Sequence, residues 1–508
     1  MTIEQRTSGK LDKEFVREQS LKQGETVFDK SVPGRKGIVF PSPQVPEQDF
    51  PPSEFLRQGD IGLPQITEPE VVRHYTRLSR QNFSIGQGFY PLGSCTMKYN
   101  PRRNEEIVSL PGFSEIHPEQ PEETVQGTME VLYRLQRFLT EITGMDATTL
   151  SPMGGAHGEF TGVLMIKAFH QSNGEGEKRR KMLIPKSAHG TNPATAAMAG
   201  YEIVEIESDE DGNLDREDFL AKVQEFGDSI AGMMITQPNT LGLFDQNAIE
   251  ASNVLHEVGA LVYGDGANMN ALLGKLRPRD LGIDVMHINT HKALTTPHGG
   301  GGPGAGPVMA IGKLAEFMPG PVVEKDEETG MYKRKTPEHS IGRVSGNFGN
   351  VTVLIRAFAY LRTMGEEGLR RVSENAVLNA NYIKAELLDT FPIQHGRRRK
   401  TMHEVVLRGR LDDKKLTTDI AKRLIDYGFH PPTVHFPLIA DQALMIEPTE
   451  TETLEGLKIF IEVMKIIARE AKDDPELLHS APHFSPVGRL DEVTAARKPI
   501  LVWQSKEG

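Results

Sequence analysis

Asp284-Val-Met-His-Ile-Asn289-Thr-His-Lys292-Ala-Leu-Thr-Thr-Pro-His298-Gly-Gly-Gly-Gly302-Pro-Gly-Ala-Gly-Pro307 runs from a short apolar string into a lysine and then a glycine-rich turn. The apolar string reads as a buried strand, and a lysine just past such a strand is partly desolvated. Desolvation frees an amine's lone pair for imine chemistry. Upstream and downstream, further short apolar runs alternate with helical patterns between about 145 and 315: Lys181-Met-Leu-Ile-Pro185, Glu202-Ile-Val-Glu-Ile206, Ala231-Gly-Met-Met-Ile-Thr236, Leu261-Val-Tyr-Gly264 and Pro307-Val-Met-Ala-Ile311. Alternation of this kind predicts an α/β domain with a mostly parallel sheet. Ligands of such sheets gather beyond the carboxyl ends of the strands. Ser187-Ala-His189, Thr236-Gln-Pro-Asn-Thr240, Asp265-Gly-Ala-Asn268 and Thr290-His-Lys292 are all expected there, on one crevice.

From about 345 the pattern turns helical, Val351 to Met364 and Leu369 to Leu388, followed by Glu404-Val-Val-Leu-Arg408, a helix near Thr417 to Tyr427, and Ala443-Leu-Met-Ile446. That reads as a smaller α+β domain. Residues 1–80 are rich in proline and charge and lack sustained periodicity, which predicts an extended arm whose ordering needs a partner surface. The expected division is therefore an arm at 1–80, a large domain at 81–345 and a small domain at 346–508.

Composition narrows the function classes. With 508 residues, 38% of them apolar and 25% charged, the chain can bury a sizeable core. Lys+Arg 58 against Asp+Glu 70 leaves −12, which gives no general attraction to nucleic acid or anionic membrane. The basic runs Lys178-Arg-Arg-Lys181 and Arg397-Arg-Arg-Lys400 read as solvated loops. The single cysteine, Cys95, cannot form an internal disulfide, which fits a reducing compartment. No signal-like apolar core follows Met1, and no run of about eighteen apolar residues occurs, so a cytoplasmic location is expected.

An imine-forming lysine implies a bound aldehyde, and pyridoxal phosphate has three further requirements: a carboxylate at its ring nitrogen, a face for its ring and a cradle for its phosphate. Asp265, after the strand that starts at Leu261, is the candidate carboxylate. His189, in Ser187-Ala-His-Gly-Thr-Asn-Pro193, is the candidate stacking ring. Ser151-Pro-Met-Gly-Gly-Ala-His-Gly-Glu159 leads into a helical pattern from Phe160 to His170. Gly154, Gly155 and Ala156 would therefore offer a helix N-terminus to the phosphate, with His157 nearby. Thr240 is the further candidate contact from the strand end that begins at Thr236. A Walker-type loop fits poorly because no Gly-Lys-Ser/Thr closes the glycine run. His287, His291 and His298 match no common zinc spacing, so no metal is expected.

Placed in this way, the residues resemble those of the glycine dehydrogenase (decarboxylating) family, the P-protein of the glycine cleavage system, in its catalytic β-type or subunit 2 form. The strings that carry the resemblance are Tyr90-Pro-Leu-Gly-Ser-Cys-Thr-Met-Lys98, Ile184-Pro-Lys-Ser-Ala-His-Gly-Thr-Asn-Pro193, Gly264-Asp-Gly-Ala-Asn-Met-Asn-Ala271, His291-Lys292 with Pro297-His-Gly-Gly-Gly-Gly-Pro-Gly304, and Pro486-Val-Gly-Arg-Leu-Asp-Glu492. His157 is a departure, since the family string has glutamine there. The resemblance implies a fold-type I pyridoxal-phosphate enzyme, a seven-stranded sheet with helices on both faces, and pyridoxal 5'-phosphate held covalently at Lys292. It further implies glycine as substrate and catalytic roles for Lys292, His291 and Asp265, with Thr96, Asn100 or His291 at the glycine pocket. As partners it implies a lipoylated H-protein that accepts the aminomethyl group, and a non-catalytic sister subunit with two copies of each chain. The competing expectations are another fold-type I lyase or aminotransferase acting on a larger amino acid, and a non-catalytic subunit that kept the fold.

Overall fold

The computed structural model describes residues 25–42, 44, 52–59, 61–297, 302–485 and 487–503. His298 and Gly299 to Gly301 of the glycine run, Pro486, and much of the N-terminal arm lie outside the described residues. The chain divides into two compact units, one taking residues up to Gln87 together with His479 onward, the other Gly88–Leu478.

The larger unit is built on a seven-stranded sheet: β1 (Ala147–Thr149), β2 (Lys181–Pro185), β3 (Glu202–Ile206), β4 (Ile230–Thr236), β5 (Leu261–Gly266), β6 (Val285–Ile288) and β7 (Val308–Ala310). Their spatial order is β1-β7-β6-β5-β4-β2-β3. Strands β3, β2, β4, β5 and β6 run parallel, whereas β7 is antiparallel to both of its neighbours. The fold class expected from the sequence is therefore the one that forms. Strand β1 was not singled out by its pattern, because three residues are too few to show a period.

The buried strands divide the core in two, alternating with period two except at the start of β4, where its pairing with β2 shifts register. Leu183, Ile230, Met233, Ile235, Val262, Met286, Ile288 and Met309 point to one face. There they pack against helix α1 (Gln126–Thr143) through Met129, Leu132, Leu135 and Leu139. Met182, Ile184, Ala231, Met234, Leu261, Tyr263, Val285 and Val308 point to the other, against helix α2 (Gly155–Ser172). Both faces are thus covered, as a parallel sheet requires. Helices α3 (Thr191–Met198), α4 (Arg216–Phe226) and α5 (Ala248–Glu257) complete the crossovers.

A single long helix, α6 (Val351–Leu387), spans the two helical patterns read from the sequence, with a break at Gly365 (φ 60°, ψ −174°). A side chain there would be strained, so the glycine supplies the interruption. Beyond it, Val405–Arg408, Ala443–Ile446 and Thr433–Val434 form a small antiparallel sheet. That sheet packs under α7 (Thr417–Asp426) and α8 (Leu454–Asp473), with Leu407, Ile420, Leu424, Leu444, Phe460 and Met464 in the core. Residues 92–93 belong to this sheet's edge: Leu92 bridges Ile446, and the Gly93 N–H donates to the Met445 carbonyl at 3.2 Å.

In the smaller unit, Glu68–Gln81 is helical rather than extended, because Thr67 and Glu70 form a capping box that satisfies its first turn. Phe28 stacks on Trp503 with ring centroids 5.0 Å apart, joining the two ends of the chain. Ile38, Val39, Phe40, Phe55, Leu490, Ile500 and Leu501 of this unit are exposed. Among the described residues, no helix is long and apolar enough to cross a membrane.

Helix α2 lies unusually close to the sheet. A Cβ on Gly162 would come within 2.6 Å of the Tyr263 ring, and one on Gly158 within 2.5 Å of the Gly306 carbonyl oxygen. Gly to Ala inside a helix ordinarily stabilises by up to about 1 kcal/mol. Gly162→Ala is instead expected to destabilise by roughly 1–3 kcal/mol through overpacking. Gly127→Ala in α1, whose added Cβ meets nothing, serves as the control and should stabilise. Urea unfolding of the two variants reads the difference, and a stabilised Gly162→Ala would refute the close contact.

Candidate active site

The parallel strands deliver their carboxyl ends to one cavity of about 240 Å³, lined by Gly155, Ala156, Glu159, His189, Thr191, Thr236, Thr240, Asp265, Ala267, Asn268, His287, Asn289, His291 and Lys292, with Ser94 and Glu404 closing it. Of the nine residues proposed from sequence, Gly155, Ala156, His189, Thr240, Asp265, His291 and Lys292 are brought together here. Gly154 sits one residue back as the N-cap of α2. His157 faces its own loop, its Nδ1 accepting the Met153 N–H at 3.1 Å.

Asp265 ends β5, and its carboxylate is tied down on both oxygens. Oδ1 accepts the Ala267 N–H at 3.0 Å, and Oδ2 accepts from Asn192 Nδ2 at 3.1 Å. Burial works against ionisation, but the His287 ring, these hydrogen bonds and the Lys292 charge outweigh it and hold the carboxyl below its usual range. His287 lies 3.7 Å from Asp265, and its Nδ1 meets the Tyr263 hydroxyl at 2.5 Å. Burial lowers the His287 pKa despite the nearby Asp265 carboxylate, which keeps this imidazole neutral.

His189 follows β2 and is oriented by Thr191, whose N–H donates to His189 Nδ1 at 3.1 Å. That bond leaves the ring proton of neutral His189 on Nε2, and burial lowers its pKa. Thr191 Oγ1 in turn donates to Glu159 Oε2 at 2.9 Å. Burial, together with the Asp265 carboxylate, pushes the Glu159 carboxyl up to about 7. Two carboxyls of one pocket are thus driven in opposite directions. Lys292 sits in the short helical turn Thr290–Ala293 that follows β6. Next to it, His291 Nδ1 accepts the Ala305 N–H at 3.3 Å.

The N-terminus of α2 enters the cavity through Gly155 and Ala156, where first-turn N–H groups lack helical partners. A Cβ on Gly155 would lie 2.4 Å from the Asn289 side-chain oxygen, so only glycine leaves that approach open. Among the described residues, buried polar atoms without hydrogen-bond partners cluster at the same place: Glu159 Oε1, Asn192 Oδ1, Thr236 Oγ1 and Asn289 Oδ1. A carboxylate held ionised, a helix N-terminus, an imidazole and a lysine around unsatisfied polar atoms fit a phosphorylated heteroaromatic aldehyde. Thr96 and Asn100 are not among the lining residues. The Thr96 N–H donates to Glu447 at 2.8 Å, and Asn100 donates to Glu105 at 2.8 Å. Ser94 is the member of that segment that reaches the cavity.

The sequence reading missed Glu159, Asn192, Asn289, Ser94 and Glu404. A signal existed for Glu159, which stands four residues after Gly155 and hence on the same helical face. Asn192 was quoted in its string without a role. Nothing in local spacing links Ser94 or Glu404 to Lys292.

Residues 372–482 match the family model of the glycine dehydrogenase C-terminal domain, and residues 164–328 match that of class-V aminotransferases. The probable glycine dehydrogenase (decarboxylating) subunit 2 of Caldanaerobacter subterraneus is 52% identical over 483 residues, covering 94% of this chain and 98% of that protein. Its namesake from Kosmotoga olearia is 51% identical over 488 residues, covering 95% and 100%. A crystal structure of inhibitor-bound glycine decarboxylase (P-protein) of the glycine cleavage system superposes with a TM-score of 0.66 at 20% identity, covering 90% of this chain and 98% of that one. Glutamate decarboxylase of Lactobacillus brevis gives a TM-score of 0.61 at 14% identity, covering 84% and 96%. At those identities the likeness carries the fold, which is the fold-type I architecture.

The Glu159 carboxyl has a consequence for stability. Its pKa is raised from 4.5 in the free side chain to about 7, so its contribution is fully present below about pH 4.5 and is lost as pH rises through 7. Relative to the wild type, Glu159→Gln should therefore gain stability across that window, by roughly 1–3 kcal/mol at its upper end. Thermal unfolding of the cofactor-free chain at pH 5 and pH 8 checks this, and a difference independent of pH would refute it.

Proposed function

The chain belongs to the family of glycine dehydrogenase (decarboxylating) subunit 2, and from that footing we propose how its cavity works. The protein is an enzyme of glycine cleavage, and its reaction is the pyridoxal-phosphate-dependent decarboxylation of glycine. The observation that carries the assignment of residues is the ionised, doubly hydrogen-bonded Asp265 standing in the same cavity as Lys292.

Bound there, pyridoxal phosphate supplies the electron sink into which the bond to the departing carboxyl group empties. Lys292 would be the residue that holds the aldehyde covalently. Asp265 holds a proton on the heteroaromatic nitrogen, with Asn192 and the Ala267 N–H keeping its carboxylate aimed and charged. His189, fixed by Thr191, offers a flat neutral face to the ring. Gly155 and Ala156 of α2 present first-turn N–H groups to the phosphate, with Gly154 as N-cap, His157 next in the helix and Thr240 adding a hydroxyl. His291, whose Nδ1 accepts the Ala305 N–H, lines the cavity beside Lys292 as a further catalytic residue.

The one-carbon unit then passes to the lipoyl disulfide of H-protein, which makes the reaction an oxidoreduction. The chain works with a non-catalytic sister subunit, two copies of each, in the cytoplasm. Exposed Ile38, Val39, Phe40, Ile500 and Leu501 favour a partner surface over the smaller unit. By function the chain divides into an arm at 1–80, a cofactor domain at 81–345 and a small domain at 346–508.

Exchange of labelled bicarbonate into the glycine carboxyl group, with sister chain and lipoylated carrier present, tests the reaction; no exchange overturns the proposal. Lys292→Ala is expected to abolish the absorbance band near the visible edge that the bound aldehyde gives. Asp265→Asn should keep the cofactor yet slow exchange at least about tenfold, the equivalent of losing ~1.4 kcal/mol of charge-assisted stabilisation. Near-normal exchange in that variant would contradict the ring-nitrogen role.

A further inference from the structure

Two glutamates outside the cofactor constellation face each other on neighbouring strands. The antiparallel register pairs Val405 with Ile446, which sets Glu404 opposite Glu447 one step beyond. Both side chains are fully buried, as is His403. One ring nitrogen of His403 and one carboxylate oxygen each of Glu404 and Glu447 lie within 4.8 Å of one another. The second oxygen of each glutamate is satisfied: Ser94 N–H donates to Glu404 Oε2 at 2.9 Å, and Thr96 N–H to Glu447 Oε2 at 2.8 Å. Ser94 and Thr96 adopt positive φ, 67° and 49°, to aim those two N–H groups at the pair. Such backbone strain in non-glycine residues persists where the surroundings over-determine it. Among the described residues the outer oxygens, Glu404 Oε1 and Glu447 Oε1, have no hydrogen-bond partner, and neither do the ring nitrogens of His403, whose Nε2 lies 3.9 Å from Glu447 Oε1. Glu404 lines the same cavity as Lys292.

We propose that Glu404, backed by Glu447, is the general acid of this site and delivers a proton to the sulfur that departs from a cyclic disulfide during transfer of the one-carbon unit. The proposal rests on the glycine-to-disulfide reaction given above. As the C–S bond forms to one sulfur, the S–S bond breaks, and the other sulfur leaves with the electron pair and takes the Glu404 proton. The disulfide is reduced by two electrons, and the glycine α-carbon, having lost carbon dioxide, is oxidised. The reaction consumes one proton overall, and the pair takes it back from water before the next turnover.

Two buried carboxyls at this separation cannot both ionise, so the pair holds a proton at neutral pH. Burial and the Glu447 charge raise Glu404 well above the usual carboxylate range, and burial pushes Glu447 up to about 7. The other groups facing the pair do not take over this role. Burial drives His403 down to about 3 and Cys95 up to about 11, so both are neutral. Lys98 is bound to Glu450 at 2.9 Å. The charges of Lys98 and Lys292 both act on Glu447 and His403, which favours a proton over a divalent cation in the cluster.

The test uses the full chain with cofactor, sister chain and lipoylated carrier, comparing wild type with Glu404→Gln and Glu447→Gln. The infrared difference spectrum, wild type minus either variant, should contain a protonated-carboxyl band at pH 7.5 that shifts in ¹³C-glutamate-labelled protein. Aminomethyl transfer in Glu404→Gln should fall by roughly 10²-fold. The decline of transfer with rising pH, expected of an acid that must be protonated, should also vanish, while the cofactor absorbance and Tm stay those of the wild type. A variant that loses cofactor absorbance or Tm is replaced by Glu404→Asp, which should recover part of the transfer and the infrared band. No protonated-carboxyl band, unchanged transfer in Glu404→Gln, or one divalent metal per chain retained by dialysed wild type would each overturn the proposal. If the wild-type assembly transfers nothing to the carrier, the reaction itself is wrong and both proposals fall; if it transfers normally while Glu404→Gln does too, only this one does.

Discussion

The approach of α2 to the sheet is the constraint on which the site depends. Gly158 and Gly162 bring that helix to within a side chain's thickness of Gly306 and Tyr263, where any Cβ would collide. Because the helix axis is fixed there, its N-terminus is fixed too, and Gly155 and Ala156 reach the cavity that Asp265 and Lys292 enter from β5 and β6. Glycine at these positions gives up helix propensity of up to about 1 kcal/mol each. In return, the first turn of the helix and a strand-end carboxylate line one small volume. Moving the helix outward by the width of a methyl group would separate them.

Electrostatics then differentiates side chains of the same chemical type. Asp265 and Glu159 share a pocket, yet Asp265 has hydrogen-bond donors on both oxygens while Glu159 has an oxygen with none. The first therefore stays charged and the second keeps its proton near neutrality. Environments that push paired carboxyls apart in this way divide labour between a permanent charge and a proton carrier. His189, His287 and His403 are all driven neutral by burial, so none of these rings adds a positive charge to the site.

Much of this was legible in the sequence where the determinants are local. The strands β2, β4, β5, β6 and β7 announced themselves because both faces are buried, leaving apolar runs bounded by turn residues, whereas the exposed edge strand β3 showed itself by its short Ile-Val run between glutamates. Asp265, His189 and Lys292 were legible because each follows such a run. β1 escaped because it is three residues long, and the helix Glu68–Gln81 because its cap, not its apolar content, defines it. The helix Leu454–Asp473, although strongly amphipathic, was not singled out. Glu404, Ser94 and Glu447 were illegible for a different reason: their relation to Lys292 is made by pairing between distant strands, which no window along the chain contains.

That pairing also orders events during synthesis. Ser94 meets Glu404 across 310 residues and Thr96 meets Glu447 across 351, and Gly93 is clipped against Met445. A chain emerging from the ribosome can fold the seven-stranded sheet, with its lysine and its aspartate, well before the small sheet exists. One wall of the pocket stays missing until the strand Ala443–Ile446 has been made, long after the segment that completes it left the exit tunnel. Lys292 thus stands in an open cleft on the growing chain until that wall has been built.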